Sequence, residues 1–300
     1  MSARAEAATA TSAVPRDVPA LAAALVTVVA WGSAFVGIRA AGDSFSPTAI
    51  ALARLLVCSS VLTAVALVRR EQLPAHRDLG TIAIFGVLWL GVYSVSLNAA
   101  EQRVDAGTAA LLVNTGPILI ALLAGLFLKE GFPRGLFGGL AVAFGGCVLI
   151  GVGSAESGTR GALGVALCLV AAVAYAVAVI VQKTVLARVS AFQATWLGCA
   201  AATIALLPFT PTLASDAADA PTSAIVWIVY LGLVPTALGF ATWTFALGRT
   251  TAGRMASVTY LIPVVAILLG WALLGETPPA LTWAGGALCL GGVYLARRRG

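Results

Sequence analysis

The sequence predicts an all-α integral membrane protein in which ten transmembrane helices form two inverted repeats of five. Three observations predict this fold: the composition, the recurrence of long apolar runs, and an internal repeat. The chain of 300 residues is 60% hydrophobic and 10% charged, with a mean hydropathy of +0.99, whereas a soluble domain carries about 25% charged residues. Apolar runs of about 20 residues, the length that crosses a bilayer, recur throughout the chain. A soluble α/β fold is therefore excluded.

The internal repeat has a fixed offset of 146 residues. Residues 100–149 laid over residues 246–295 without a gap give 16 identities in 50 positions. A composition biased toward Ala, Leu and Gly explains only part of this agreement. The informative matches are a proline, a glutamate and a double glycine, namely Pro117 with Pro263, Glu130 with Glu276, and Gly145-Gly146 with Gly291-Gly292.

The apolar runs are predicted to be helices because lipid admits only helices and closed barrels, and these runs do not alternate in polarity. The expected spans are residues 19–40, 46–68, 79–101, 106–128, 134–152, 161–182, 190–210, 224–246, 252–274 and 280–296.

Three stretches frame these spans. Residues 1–18 are rich in Ala and Thr and are predicted to be a disordered tail. The first repeat is predicted over 19–152 and the second over 161–296. The longest connection, from about Thr210 to Ser223, contains Pro211, Asp216, Asp219 and Pro221 and is predicted to be a turn-rich external loop.

The basic residues predict the orientation. With a cytoplasmic N-terminus, 14 of the 18 basic residues fall on the cytoplasmic side, and only Arg39, Arg103 and Arg160 fall outside. This asymmetry follows the positive-inside rule and also places the C-terminus in the cytoplasm. The net charge of +6 therefore reflects orientation and contact with the lipid bilayer, and we expect no nucleic-acid partner.

An odd number of helices in each repeat makes the second copy enter the membrane from the opposite side. Glu130 then lies inside and its counterpart Glu276 outside. Inverted repeats of this kind are a common architecture of secondary transporters, whose substrate site lies near the midplane between the halves.

Several residues together resemble a known family. Trp31-Gly32-Ser33 lies in the first span, which Arg39 ends, and Pro47 to Arg54 opens the second span. Helices four and nine share an Ala-Gly pair, a mid-span proline and a terminal glutamate. In these features the chain resembles the EamA-domain family of the drug/metabolite transporter superfamily, over nearly its full length. The resemblance implies a multi-pass transporter of the inner or plasma membrane that moves a small-molecule substrate by alternating access.

The leading interpretation of the cargo is efflux of amino acids or related amphipathic metabolites. It rests on the resemblance and on the aromatic and apolar residues near mid-span. The alternative is a drug, sugar or nucleotide-sugar transporter of the same superfamily. A cargo that carries phosphate would require several basic residues in the cavity, and only Arg54 lies in the interior of a span.

Two prolines and the residues before them are the first candidate site. Pro117 and Pro263 lie at the centres of helices four and nine, where a proline removes a backbone hydrogen bond. They are predicted to form a hinge or gate, with a simple packing kink as the alternative. Asn114 and Tyr260 stand three residues before these prolines and are predicted to face the cavity; contact with a neighbouring helix is the alternative for Asn114.

Aromatic residues near mid-depth form the second candidate group. Trp31 and Tyr175 occupy equivalent positions 144 residues apart, too deep to be interfacial anchors. We expect them to bind substrate, with plain core packing as the alternative. In helix three, Tyr93 and Asn98 are further candidates. Trp89, Thr236 and Trp243 could extend the same wall.

Arg54 is the only charged residue in the interior of a predicted span, away from the span ends. Intramembrane ionisable groups are functional candidates, and no acidic residue lies at the depth of Arg54; Glu101 and Asp105 are the nearest. One hypothesis is that Arg54 attracts a substrate carboxylate. The alternative is that its side chain snorkels or binds backbone carbonyl groups.

Other function classes lack their chemistry in this sequence. The single histidine, His76, lies in a charged loop, so neither a metal site nor a cofactor is expected, and we predict that the protein is not an enzyme. A channel would need polar residues at every depth of its pore.

Glu130 and Glu276 are expected to pair with Lys129 or to cap the following helices. No acid or histidine lies at mid-membrane, so uncoupled transport is as compatible with the sequence as antiport.

Helices five and ten are rich in glycine. Small residues allow close approach of transmembrane helices. We expect these two helices to pack against each other away from the transport path, or to form the face of a homodimer.

Overall fold

The computed structural model describes residues 17–129, 131–132, 135–155, 159–252, 255, 258–278 and 280–297. This part of the chain contains helices and no strand. The helices are α1 (Val18–Ala41), α2 (Pro47–Arg69), α3 (His76–Glu101), α4 (Ala106–Phe127), α5 (Leu136–Ala155), α6 (Thr159–Val185), α7 (Ala191–Asp219), α8 (Thr222–Arg249), α9 (Thr259–Leu274) and α10 (Ala280–Arg297).

Seven of these helices, α1 to α4 and α6 to α8, are long and apolar enough to cross a membrane. The apolar stretches in α5, α9 and α10 are shorter. The all-helical membrane fold is therefore confirmed, whereas ten spans and the placement of the termini stay predictions. The predicted tail lies outside the described residues, apart from its last two, as does Glu130.

Local sequence signals set the helix ends. Asp17 precedes α1, and its carboxylate accepts a hydrogen bond from the backbone N–H of Ala20, which is ordinary N-cap chemistry. A capping box formed by Ser190 and Gln193 begins α7. At the far end of α2, Arg70 adopts a left-handed conformation with φ of 52°. The connections at residues 42–46 and 186–190 are short, so the helices that they join run in opposite directions.

The predicted loop from Thr210 to Ser223 is wrong over most of its length. Residues Thr210–Asp219 are helical and continue α7 after a 3₁₀ turn. Pro211 lies in the first turn of this helix, where a missing N–H removes no intrahelical bond. Asp216 accepts a hydrogen bond of 2.8 Å from the backbone N–H of Ser46 at the start of α2. The segment is therefore a helical extension of α7 that contacts the start of α2.

The glycine-rich helices α5 and α10 pack against each other along their length, as predicted. A Cβ atom added at Gly146 would lie 2.5 Å from the carbonyl oxygen of Gly285. One added at Gly292 would lie 2.5 Å from the carbonyl oxygen of Gly139. Only glycine permits backbone contact this close.

Four helices depart from α geometry at matched places in the two halves. Helix α3 contains a π-helical turn at Val87–Tyr93, and α8 contains one at Gly232–Leu238, which starts 145 residues later. Helix α4 is interrupted at Asn114 and Thr115. Helix α9 begins with a 3₁₀ turn at Thr259–Leu261, 146 residues after the corresponding part of α4.

Polar contacts tie the helices together at the two ends of the bundle. At what we call the Arg39 end, Arg39 forms a salt bridge of 2.6 Å with Glu276. At the opposite end, called the Asp78 end, Arg188 forms a salt bridge of 2.6 Å with Asp78. There Lys183 also donates to the carbonyl oxygens of Leu247 and Thr250.

Candidate functional site

A central cavity lies between the two halves of the bundle and contains about 580 Å³ of empty space when the open solvent at its mouth is included. The walls come from α1 to α4 and from α6, α8 and α9. The lining residues are Trp31, Ala34, Phe35, Ile38, Arg54, Trp89, Tyr93, Leu97, Ala110, Val113, Asn114, Tyr175, Phe240, Thr259 and Ile262.

An aromatic cluster forms the floor of the cavity on the side of the Asp78 end. Its members are Trp31, Trp89, Tyr175, Phe240 and Trp243. Ring centroids of neighbouring members lie 4.9 to 5.7 Å apart in tilted or edge-on arrangements. Such geometry is the one that aromatic quadrupoles favour. The cluster therefore presents both ring faces and ring edges to anything in the cavity.

The second half of the chain holds Trp31 in place. The indole N–H of Trp31 donates a hydrogen bond of 3.1 Å to the carbonyl oxygen of Pro235, inside the π-helical turn of α8. Gly239 lies against the same ring, since a Cβ atom there would be 2.7 Å from Nε1. The rotamer of Trp31 thus depends on contacts across the two halves.

A buried polar network lies beyond the aromatic floor, toward the Asp78 end. Gln182 accepts a hydrogen bond of 3.2 Å from the indole N–H of Trp243, and donates one of 3.1 Å to the Thr244 hydroxyl. The Thr195 hydroxyl completes the network through Thr244, at 3.0 Å. The hydrogen bonds of this network are made within the protein, and such satisfied buried networks make a region rigid.

Arg54 enters the cavity from α2 and is only 4% exposed. Its Nε donates a hydrogen bond of 2.9 Å to the Thr236 hydroxyl, which in turn donates to the carbonyl oxygen of Leu231. Among the described residues, no carboxylate lies within 4.0 Å of the guanidinium group, and its terminal nitrogens make no hydrogen bond. Arg54 does not snorkel to a surface.

Asn114 reaches the cavity from the interruption of α4. The side chain is 6% exposed, and Nδ2 has no hydrogen-bond partner in the part of the chain that the structure describes. An amide N–H₂ group in this state is costly to bury. Arg54 and Asn114 therefore both offer N–H donors to the same space.

The structure separates the remaining predicted residues into two groups. Tyr93 and Tyr175 line the cavity, as does Trp89. Asn98 does not, because its Nδ2 donates to the carbonyl oxygen of Pro47, 2.9 Å away. Tyr260 also lies outside the lining and packs beside Ile118.

The prolines shape the cavity without lining it. Pro117 and Pro263 are buried and lie in the first turn of the α-helix that follows each interruption. Sequence reasoning missed Thr259, which lines the cavity where Tyr260 was expected. The neighbouring position in the repeat was a usable signal, but the 3₁₀ turn that rotates these side chains was not visible in the sequence.

Comparison with known proteins assigns the family. Residues 18–152 and 162–298 each match the model of the EamA-like transporter family. The chain belongs to this family. It is 37% identical over 277 residues to a probable terminal-alkyne amino-acid exporter of Streptantibioticus cattleyicolor, covering 92% of this chain and 93% of the relative. It is 29% identical over 283 residues to a probable amino-acid metabolite efflux pump of Salmonella typhimurium, covering 91% and 92%.

A crystal structure of another protein supports the fold of this EamA-like transporter. The two align with a TM-score of 0.65 at 20% identity, covering 92% of this chain and 96% of the other. The family match and the apolar helices confirm the predicted multi-pass membrane transporter of metabolites.

In this EamA-like transporter a charged cluster lies at the Arg39 end. Glu276 follows Gly275, whose φ of 67° ends α9. The Glu276 carboxylate binds Arg39 and accepts a hydrogen bond of 3.4 Å from the backbone N–H of Ala106. The expectation that Glu276 caps the helix after it is therefore wrong, because the turn at Gly275 directs it to the start of α4. Its counterpart Glu130 lies outside the described residues.

Glu101 is the second acidic residue of this cluster. The side chain is 1% exposed, and neither carboxylate oxygen has a hydrogen-bond partner within the described ranges. The backbone carbonyl of Glu101 accepts from Nη1 of Arg39 at 2.6 Å. Sequence reasoning placed Glu101 near the membrane surface by depth and did not foresee its burial.

Proposed function

We propose that this protein exports amino acids with small apolar side chains through the central cavity by alternating access. The observation that carries the proposal is an unpaired, buried guanidinium group set opposite aromatic walls. Such a site matches a molecule with a carboxylate at one end and an apolar body at the other.

Arg54 and Asn114 would bind the carboxylate of the cargo. A buried cation without a counter-ion is unfavourable by several kcal/mol, and the described residues supply no carboxylate to Arg54. A substrate carboxylate would supply the missing charge through charge-assisted hydrogen bonds. The free Nδ2 donor of Asn114 would satisfy a further lone pair of the same group.

The aromatic cluster would hold the remainder of the cargo. An ammonium group over an aromatic face gains about 0.5–2 kcal/mol, and the same rings accept an apolar side chain. The relative at 37% identity is named as a probable exporter of a terminal-alkyne amino acid, a cargo of this shape. A phosphate-bearing cargo fits less well because Arg54 is the only basic residue among the described residues of the lining.

The proposed architecture has ten spans in two inverted repeats, 19–152 and 161–296, with both termini cytoplasmic. Two separate family matches support the repeat, as do the π-helical turns 145 residues apart. The basic-residue asymmetry supports the orientation. The cavity lies between the halves, where exchange of their conformations would open it to either side. Pro117 and Pro263 would act as hinges because each follows a break in its helix.

The test is counterflow transport of labelled compounds by purified protein in proteoliposomes. The panel contains neutral amino acids, the corresponding decarboxylated amines, a sugar and a nucleotide sugar. We expect transport of the neutral amino acids, and a loss of about tenfold or more in Arg54→Gln, the order expected for a charged hydrogen bond. Arg77→Gln, at an exposed site, is the control.

Two results would overturn the proposal. One is unchanged amino-acid transport by Arg54→Gln protein that elutes as a folded, monodisperse species. The other is equal transport of an amine that lacks the carboxylate. Transport of a sugar or nucleotide sugar instead would select the alternative cargo class.

A further inference from the structure

The charged cluster at the Arg39 end lies directly beyond the cavity. Leu97 lines the cavity, and Glu101 follows it one turn later on the same face of α3. Ile38 also lines the cavity, and Arg39 is the next residue of α1. Glu101 and Arg39 therefore lie next to the cavity on the side of the Arg39 end.

Arg39 is shared unequally between two acidic residues. Its Nε binds the Glu276 carboxylate at 2.6 Å, and its Nη1 binds only the backbone carbonyl of Glu101. Glu276 belongs to the second half of the chain, whereas Arg39 and Glu101 belong to the first. The bridge to Glu276 therefore joins the halves, and a bridge from Arg39 to the Glu101 carboxylate would not.

The burial of Glu101 makes its two protonation states structurally different. An ionised carboxylate that is buried without hydrogen bonds or a cation is strongly unfavourable. The protonated acid can remain where the structure places it. Once ionised, the carboxylate needs a cation, and Arg39 is already in contact with the same residue.

The charged and titratable groups around Glu101 come from every neighbouring element. They are Arg39 of α1, Arg54 of α2, Tyr93 of α3, Asp105 before α4, Arg160 of α6 and Glu276 after α9. Most have partners: Asp105 accepts from Thr108, Arg160 donates to the carbonyl of Gln102, and Arg54 binds Thr236. Among the groups named here, Arg39 is the one that binds both acidic residues, the Glu276 carboxylate through Nε and the Glu101 carbonyl through Nη1.

We propose that Glu101 is a proton-binding site whose occupancy controls the Arg39–Glu276 bridge. With a proton on Glu101, Arg39 binds Glu276 and holds the halves together at this end. When the proton leaves to water, the Glu101 carboxylate takes Arg39 from Glu276, and the halves separate. This proposal deepens the proposed function, on which it rests, because it couples a proton to each opening of the cavity.

A distance measurement tests the switch without any cargo. Nitroxide labels at Asp43→Cys and Thr277→Cys, both exposed, report the separation of the halves at the Arg39 end by pulsed electron resonance. In proteoliposomes, we expect the distance to lengthen as pH rises from about 5 to about 9. Glu101→Gln, which cannot ionise, should hold the short distance throughout.

Matched variants separate the switch from general pH effects. Asp78→Asn removes a second buried carboxylate, which is paired with Arg188 at the opposite end, and should leave the response intact. Glu276→Gln should give the long distance even at low pH. If Glu101→Gln does not fold, Glu101→Asp should keep a pH response with a different midpoint.

A distance that does not change with pH in the parent protein would overturn the proposal, as would an unchanged response in Glu101→Gln. In transport assays, a pH gradient should drive accumulation by the parent protein, and Glu101→Gln should lose this accumulation. A normal distance response together with no amino-acid transport would count against the proposed cargo and leave the switch standing.

Discussion

Trp31 and Pro235 are joined by a hydrogen bond of 3.1 Å between the indole N–H and a backbone carbonyl oxygen. The bond links α1 to the π-helical turn of α8, and so links the two halves across the cavity floor. A π-helical turn widens the backbone and is often found at functional sites. Here it positions an aromatic ring that neither half would hold alone.

Replacing Trp31 with Phe should weaken both stability and transport. The substitution keeps an aromatic ring but leaves the Pro235 carbonyl without its donor, which costs about 1–3 kcal/mol in a buried site. We expect a lower thermal midpoint in detergent and slower counterflow. Trp283→Phe is the control, since Trp283 lies on the outside of α10 and is 52% exposed. Equal midpoints for the two variants would contradict the role of the hydrogen bond.

Two substitutions of Asn114 that differ in charge distinguish a binding role from a packing role. Asn114→Ala should raise the half-saturating amino-acid concentration up to about tenfold, since one hydrogen bond is lost. Asn114→Asp has nearly the same shape but places a negative charge beside the substrate carboxylate, and we expect it to abolish transport. Concentration series in counterflow provide the measurement. If the Asp variant transports as well as the Ala variant, Asn114 does not face the carboxylate.

Adjacent glycines in α5 should respond very differently to alanine. At Gly146 an added Cβ atom meets the backbone of α10 at 2.5 Å, whereas at Gly145 nothing lies within 4 Å. We expect Gly146→Ala to destabilise the protein by about 1–3 kcal/mol, and Gly145→Ala to change stability by at most about 0.5 kcal/mol. Unfolding in mixed micelles with increasing denaturing detergent compares them. Similar loss in both would show that α5 and α10 are not in backbone contact.

Removing a hinge proline should slow transport without harming the fold. Pro263→Ala restores a backbone N–H at the start of the α-helix in α9 and permits the helix to continue. We expect a thermal midpoint that is unchanged or higher, together with slower exchange. Pro208→Ala, in the 3₁₀ turn of α7, is the control. Transport at the parent rate in Pro263→Ala would favour a packing kink over a hinge.

Much of the helical arrangement could be predicted from the sequence, because apolar length and the repeat are properties of single segments. The roles of Trp31, Arg54 and Asn114 could be predicted from the sequence as well, because a polar or aromatic group deep in a span must face protein or a cavity. Tyr260 and Thr259 show where this reasoning ends. The repeat aligns Tyr260 with Asn114, but the 3₁₀ turn at Thr259–Leu261 changes which side chain faces inward.

The burial of Glu101 could not be predicted, because it depends on residues far away in the chain. Arg39 lies 62 positions earlier and Glu276 lies well over a hundred positions later. Depth along α3 indicates only how close a residue is to the surface. The extension of α7 was missed because Pro and Asp are common in turns, and because the contact of Asp216 with Ser46 joins residues 170 positions apart in the chain.

The backbone contact between α5 and α10 limits how the two halves can move. Each helix belongs to a different half, and none of the described residues of either lines the cavity. A crossing that has no side chains between its backbones cannot be compressed, and separating it loses close packing over the whole length. Rotation about the crossing preserves the contact. We therefore expect the pair to act as a pivot around which the remaining helices rock.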